Sequence, residues 1–96
     1  MITIWKATLE VQTKQSVTMP RGAAVLCAAA QGDGICIWFR CDTSAPTEER
    51  IFYVYGTGHD MDSGADGSGG HAVGRYVGTA HLFGGKLVFH VFEGGA

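Results

Sequence analysis

The segment Tyr55-Gly56-Thr57-Gly58-His59 concentrates residue types that could hold a ligand. Its glycines lack a Cβ, so backbone amides can come close to a bound group. Successive amides there can form a concave nest for an anion such as phosphate. Thr57 adds a hydroxyl and His59 an imidazole. The segment is not a dinucleotide fingerprint, because no third glycine falls in register and no helix follows. The plainer reading is a turn or bulge that needs glycine for steric reasons. Trp38 and Arg40 form a second constellation, on one strand face with Cys36 and Asp42 at period two. Indole stacks on a flat ring, and guanidinium makes charge-assisted bonds to phosphate. The plainer reading there is a core Trp with a surface Arg lying over its ring. Tyr55 offers a second stacking aromatic, but convergence of Trp38 and Arg40 with the Gly56–His59 turn depends on strand order. His90 shares a face with Val88 and Phe92 inside an apolar strand. It is expected to be partly buried, either as a hydrogen-bonded core histidine or as a ligand contact.

Metal and catalytic chemistry find less support. His59 and His71 flank Asp60, Asp62 and Asp66, and imidazole plus carboxylate suits zinc. Asp60-Met61-Asp62-Ser63-Gly64 lacks the later ligands of a calcium loop, and no histidine pair has helical ligand spacing. Ordering so glycine-rich a loop around an ion costs much entropy. No nucleophile elbow or activated-cysteine signature is present, and Glu48-Glu49 lies in a polar stretch. The expectation is a non-enzymatic chain with no catalytic residue, no metal ligand and no cofactor. A metal-dependent hydrolase built on His59 and His71 is the minority alternative. Cys27, Cys36 and Cys41 are an odd count at spacings that match no zinc motif, so they read as buried thiols.

The elements that must position these groups read as strands. Ile2 to Val11 alternates, with Trp5, Ala7, Leu9 and Val11 on one face and Lys6, Thr8 and Glu10 on the other. Ser16–Met19 is a short strand, and Met19-Pro20-Arg21-Gly22 fits a type I turn. Ala23–Gln31 and Ile35–Asp42 make a hairpin through Asp33-Gly34, read as type I′. Thr43–Glu49 is a polar loop with room for one helical turn after Pro46. Ile51–Tyr55 is β-branched and aromatic. Arg75–Leu82 and Leu87–Glu93 form a last hairpin across Phe83–Lys86. The fold class is therefore all-β: a small single-domain antiparallel β-sandwich or partly open barrel of about seven strands over 1–96. A flexible Gly/Asp-rich loop is expected at 59–74.

The 96 residues are 46% hydrophobic and 17% charged, too apolar for a disordered tail, and the formal charge is -2. That balance argues against a nucleic-acid polymer as partner. No apolar run approaches a membrane span, and the opening residues lack the basic and apolar regions of a signal peptide. A cytoplasmic domain without a membrane partner is expected. A core this small leads us to expect a homo-oligomer.

Ile4-Trp5-Lys6 with Leu9-Glu10-Val11, then Met19-Pro20-Arg21-Gly22-Ala23, Tyr55-Gly56-Thr57-Gly58-His59, Gly78-Thr79 and His90-Val91-Phe92-Glu93 together resemble a family of small uncharacterised proteins of tailed phages and prophages. The resemblance spans nearly the whole chain and departs at Asp60–Gly74. It implies a small β domain in an infected or lysogenic bacterial host and brings no activity. The functional expectation is a binding protein that sequesters a small anionic, nucleotide-like ligand as a counter-defence factor. Trp38, Arg40, Tyr55, Gly56, Thr57, Gly58, His59 and His90 are its contacts. The alternative is a protein–protein interaction module, such as an inhibitor of a host enzyme, using sheet edges and Phe52, Tyr53 and Phe83.

Overall fold

The computed structural model describes residues 1–61 and 74–94. Among these described residues seven strands run in chain order: β1 (Ile2–Leu9), β2 (Lys14–Pro20), β3 (Ala24–Gln31), β4 (Gly34–Asp42), β5 (Thr47–Gly56), β6 (Arg75–Leu82) and β7 (Leu87–Glu93). They form one sheet in the order β1-β4-β3-β6-β7-β5-β2. The sheet rolls into a nearly closed, barrel-like domain, so the all-β expectation holds as a barrel and not as a two-sheet sandwich. Five of its six joins are antiparallel; β3 and β6 meet in parallel at Ala28 and Gly78. The expected purely antiparallel sheet is thus a mixed one.

Alternation decides what the barrel encloses. Leu9, Val25, Ala28, Ile35, Ile37, Phe39, Phe52, Val54, Ala80, Leu82, Phe89 and Val91 project inward and are buried. At period two the intervening residues must face outward. On most strands these are polar or half-exposed, but β5 and β7 differ. Tyr53 and Tyr55 are buried on the outer side, where Ile51, Met61 and Phe92 pack with them. Strands with apolar residues on both faces are covered on both faces. Phe52 and Tyr53, expected as exposed partner contacts, are buried, whereas Phe83 is exposed.

One end of the interior is ionic. The Arg50 Nε donates to Glu93 at 2.6 Å, and its guanidinium also reaches the Ala23 carbonyl at 3.0 Å and Glu48 at 3.3 Å. Arg75 joins Glu93 at 3.5 Å and donates to the Val25 carbonyl at 3.1 Å. A guanidinium fork can satisfy carboxylate and backbone carbonyls at once, so the charges close the barrel end without stranding a polar group.

Several local expectations shift for identifiable reasons. The Ala23 amide bonds the Pro20 carbonyl at 3.1 Å. The turn is therefore Pro20–Ala23, one residue later than expected, with Gly22 at φ +80 as a type II turn requires. In the β3–β4 hairpin Gln31 pairs with Gly34, so the loop is Gly32-Asp33. Only Gly32 there has positive φ, which is type II′ and not I′. Thr47–Glu49 is strand and not helix, because β2 pairs along it. Its polar side chains find cross-strand partners, as where Thr18 donates to Glu49 at 2.6 Å. Cys36 and Cys41 are buried as expected, but Cys27 is exposed beside the β3 bulge.

Candidate functional site

At the end opposite the ionic cluster, β5 finishes, β7 begins and the chain leaves β1. A pocket of about 340 Å³ lies there, lined by Val11, Gly56, Thr57, His59, Lys86, Leu87, Val88 and Phe89. Its walls are mainly apolar; Thr57, His59 and Lys86 supply the polar groups. Its volume is at the small end of the range for ligand sites, and barrel mouths are a common place for them.

The turn after β5 builds one wall. The His59 amide donates to the Gly56 carbonyl at 3.0 Å, and Gly58 takes φ +87. The His59 ring folds back over Gly56, whose amide donates to Nδ1 at 3.1 Å. A Cβ at Gly56 would lie 2.8 Å from the ring's Cε1, so position 56 must be glycine for the ring to sit there. With Nδ1 accepting, the neutral imidazole carries its proton on Nε2. Thr57 is pinned by its amide, which donates to the Val88 carbonyl at 3.1 Å.

This geometry corrects the amide-nest expectation. Of the two amides expected to hold an anion, those of Gly56 and Gly58, the first is spent on the His59 ring, and the neighbouring Thr57 and His59 amides are spent on the Val88 and Gly56 carbonyls, so successive free amides do not form a nest there. Gly56 and Gly58 serve the turn, and Gly56 also serves the ring. The side chains Thr57 and His59 do line the pocket, as their types suggested.

His90 lies at the centre of the outer face of β7. It is half-buried and pairs in register with Tyr55 on β5 and Thr79 on β6. Its Nε2 and the Thr57 Oγ1 are 2.8 Å apart, and its Nδ1 and the Thr79 Oγ1 are 3.2 Å apart. Thr79 Oγ1 in turn bonds the Tyr76 hydroxyl. Residues three apart on a regular strand face opposite ways, but the β6 bulge between Tyr76 and Gly78 brings Tyr76 and Thr79 to one face. Tyr76 also sets its ring edgewise on Phe92, centroids 5.6 Å apart.

Trp38 and Arg40 do not join this group. They project from β4, four ladder steps from β5, or about 19 Å along the sheet at ordinary strand spacing. Trp38 is half-buried opposite Lys6 and Cys27, and Arg40 is exposed opposite Ile4 and Ala24. Tyr55 is buried on the outer face against Tyr53 and Phe92 rather than at the pocket. The three-residue stacking arrangement expected of Trp38, Arg40 and Tyr55 therefore does not assemble within one protomer.

Lys86 and Val11 are pocket residues that sequence reasoning overlooked. Lys86 read as a hairpin-turn residue and Val11 as the end of a strand. Only the meeting of the β1–β2 connection with the β6–β7 turn makes them neighbours. His71, Asp62 and Asp66 of the metal alternative, with most of the 59–74 loop, lie outside the described residues. Among the described residues no group of three metal-ligating side chains comes together, and no helix is long and apolar enough to cross a membrane.

No curated protein and no solved structure matches the chain. A family model described as Domain of unknown function (DUF7352) matches residues 1–96, and the chain belongs to that family.

Proposed function

We propose that this domain is a small non-enzymatic binding protein that sequesters a small anion bearing an apolar body. The observation that carries the reading is the composition of the pocket at the barrel end. Val11, Leu87, Val88 and Phe89 offer an apolar bed. Lys86 supplies a positive charge, His59 an imidazole donor and Thr57 a hydroxyl. A carboxylate or phosphate oxygen is the group that accepts from all three, and charge-assisted bonds of this kind are the strong ones. With Trp38 and Arg40 elsewhere, the indole and guanidinium expected to hold a flat ring and its phosphate are not at this pocket, so the ligand is held by its anionic head and a small apolar body. In the phage-type setting implied by the sequence resemblance, retention of such an anion serves counter-defence.

The test is a calorimetric and thermal-shift panel of short-chain carboxylates and organic phosphates, each beside a neutral isostere. Anions should raise the melting temperature and their isosteres should not. Lys86→Met should weaken the best binder about tenfold, the equivalent of ~1.4 kcal/mol. The reading is abandoned if no anion binds, or if binding survives Lys86→Met and Thr57→Val unchanged.

The protein–protein alternative rests on a different observation, the free edge of β1. The opposite edge strand, β2, carries Lys14 and Pro20 at its ends, the usual guards of an open edge. β1 carries no proline and one exposed lysine, Lys6, and its Ile2, Ile4 and Trp5 are exposed at 64%, 57% and 44%. An extended strand from a partner or from a second copy fits there. Sedimentation of the wild type against an Ile4→Lys variant tests strand addition by a second copy, which predicts a lower mass for the variant; strand addition by another protein is tested by the loss of its capture in the same variant.

A further inference from the structure

Thr57 stands between the pocket and a chain of hydrogen bonds outside it. The chain runs Tyr76 Oη, Thr79 Oγ1, His90 Nδ1, His90 Nε2 and Thr57 Oγ1. A neutral imidazole donates from one nitrogen and accepts at the other, and each hydroxyl has one proton to give. Two polarities leave unused only the proton of a terminal hydroxyl; a third, in which Thr79 accepts from both Nδ1–H and Tyr76, leaves the proton of half-buried Thr79 without a partner in the chain and is the costlier for it. In the first of the two, Thr57 donates to Nε2, Nδ1–H donates to Thr79, and Thr79 donates to Tyr76. In the other, Tyr76 donates to Thr79, Thr79 donates to Nδ1, and Nε2–H donates to Thr57. The first consumes the Thr57 proton. The second leaves it free for the pocket.

The terminal group selects between them. A phenol, with a pKa near 10 in its unperturbed state, is a far stronger acid and a better donor than an aliphatic hydroxyl. Its lone pairs are also the poorer acceptors, so Tyr76 is the natural start of the chain and not its end. Hydrogen bonds in such a chain polarise one another, so a preference at one end is felt at the other. We infer that Tyr76, Thr79 and His90 are positioning residues which turn Thr57 into a directed donor for the pocket, making the site selective for a head group that accepts hydrogen bonds. The inference rests on the anion-binding reading for its purpose, and on the chain alone for its mechanism. It also gives the β6 bulge a function, since without it Tyr76 and Thr79 could not share a face.

The direct test is the tautomer of His90 in the unliganded full chain. Long-range proton–nitrogen NMR on uniformly ¹⁵N-labelled protein distinguishes protonated from bare imidazole nitrogens. It is run at about pH 8.5, above the usual imidazole range. The expected result is Nε2–H with no detectable Nδ1–H form. Tyr76→Phe keeps the ring on Phe92 but removes the donor, and should bring up a measurable Nδ1–H population. A merely structural tyrosine would leave the tautomer unmoved. Inorganic phosphate then probes the site: Tyr76→Phe should weaken its binding several-fold, whereas Tyr76→Gln, which restores a donor, should recover part of the loss. A wild-type Nδ1–H form, or an unchanged tautomer in Tyr76→Phe, overturns the relay. If the tautomers behave as expected but phosphate and the carboxylate panel bind nowhere, the relay mechanism stands and the anion-binding reading falls.

Discussion

Gly78→Ala should be among the most damaging single-methyl substitutions this chain can suffer. A Cβ at position 78 would lie 2.3 Å from the Ala28 carbonyl oxygen and 2.8 Å from the Ala28 amide nitrogen. Both are backbone atoms, so no side-chain rotation relieves the clash. Relief requires β3 and β6 to part by about an ångström, the difference between these contacts and ordinary van der Waals separation. Those strands are joined at a single paired position, Ala28 with Gly78. That join connects the β1-β4-β3 half of the sheet to the β6-β7-β5-β2 half. Overpacking a rigid interior site costs about 1–3 kcal/mol, and weakening the local hydrogen bonds adds about 1 kcal/mol each. A loss of about 3 kcal/mol follows. The whole stability of a domain this size is about 5–14 kcal/mol, so the melting temperature should fall by about 12–24 °C. Urea unfolding followed by far-UV dichroism measures the loss. Gly22→Ala is the control. Gly22 has φ +80, but a methyl added there would meet nothing within 4 Å, so the substitution should lose only about 1 kcal/mol, from backbone strain. If Gly78→Ala costs no more than Gly22→Ala, close backbone approach is not what requires glycine at position 78.

Three further outcomes are expected. Gly56→Ala should displace the His59 ring while leaving the fold intact, because the methyl meets a side chain and not backbone; the His59 ring resonances should shift with little change in unfolding midpoint. Arg50→Met should cost about 2 kcal/mol in urea unfolding, since it leaves Glu48 without its ion-pair partner and Glu93 with only the longer Arg75 contact at the partly buried barrel end; a loss under about 0.5 kcal/mol would show the cluster to be stability-neutral. Bonds from the Ser44 hydroxyl and amide, then from the chain's amino terminus, hold the Asp42 carboxyl below its usual value, and bonds from Thr18 and Ser16 do the same for Glu49. A folded pKa below the unfolded one adds stability above the unfolded value and loses it as pH falls through the folded one. Acid titration of stability should therefore be shallower below about pH 4 in Asp42→Asn than in the wild type, and an identical profile would remove Asp42 from the account.

The alternation of Ile2–Leu9, the β-branched and aromatic run at Ile51–Tyr55 and the hairpin at Phe83–Lys86 were legible in the chain because period and turn chemistry are local. The β6 and β7 limits coincide with the expected ones for the same reason. Thr47–Glu49 was not legible: its polar residues become strand only because β2 lies alongside. The pocket divides in the same way. Thr57 and His59 stand out by type and by their flanking glycines, whereas Lys86 and Val11 carry no local mark. Trp38 and Arg40 had the right chemistry but no way to show which strands would separate them from β5.

Residue chemistry and period thus determine which side chains can donate, accept or pack, and on which face of its own strand each stands. Strand order is set by long-range pairing and by the few places where backbone meets backbone, as at Ala28 and Gly78. It decided that Lys86 and His59 share a pocket, that Trp38 stays outside it, and that a bulge carries Tyr76 onto the face of His90. Neighbours far apart in the chain leave no periodic trace, because each strand's pattern is satisfied equally well beside several others.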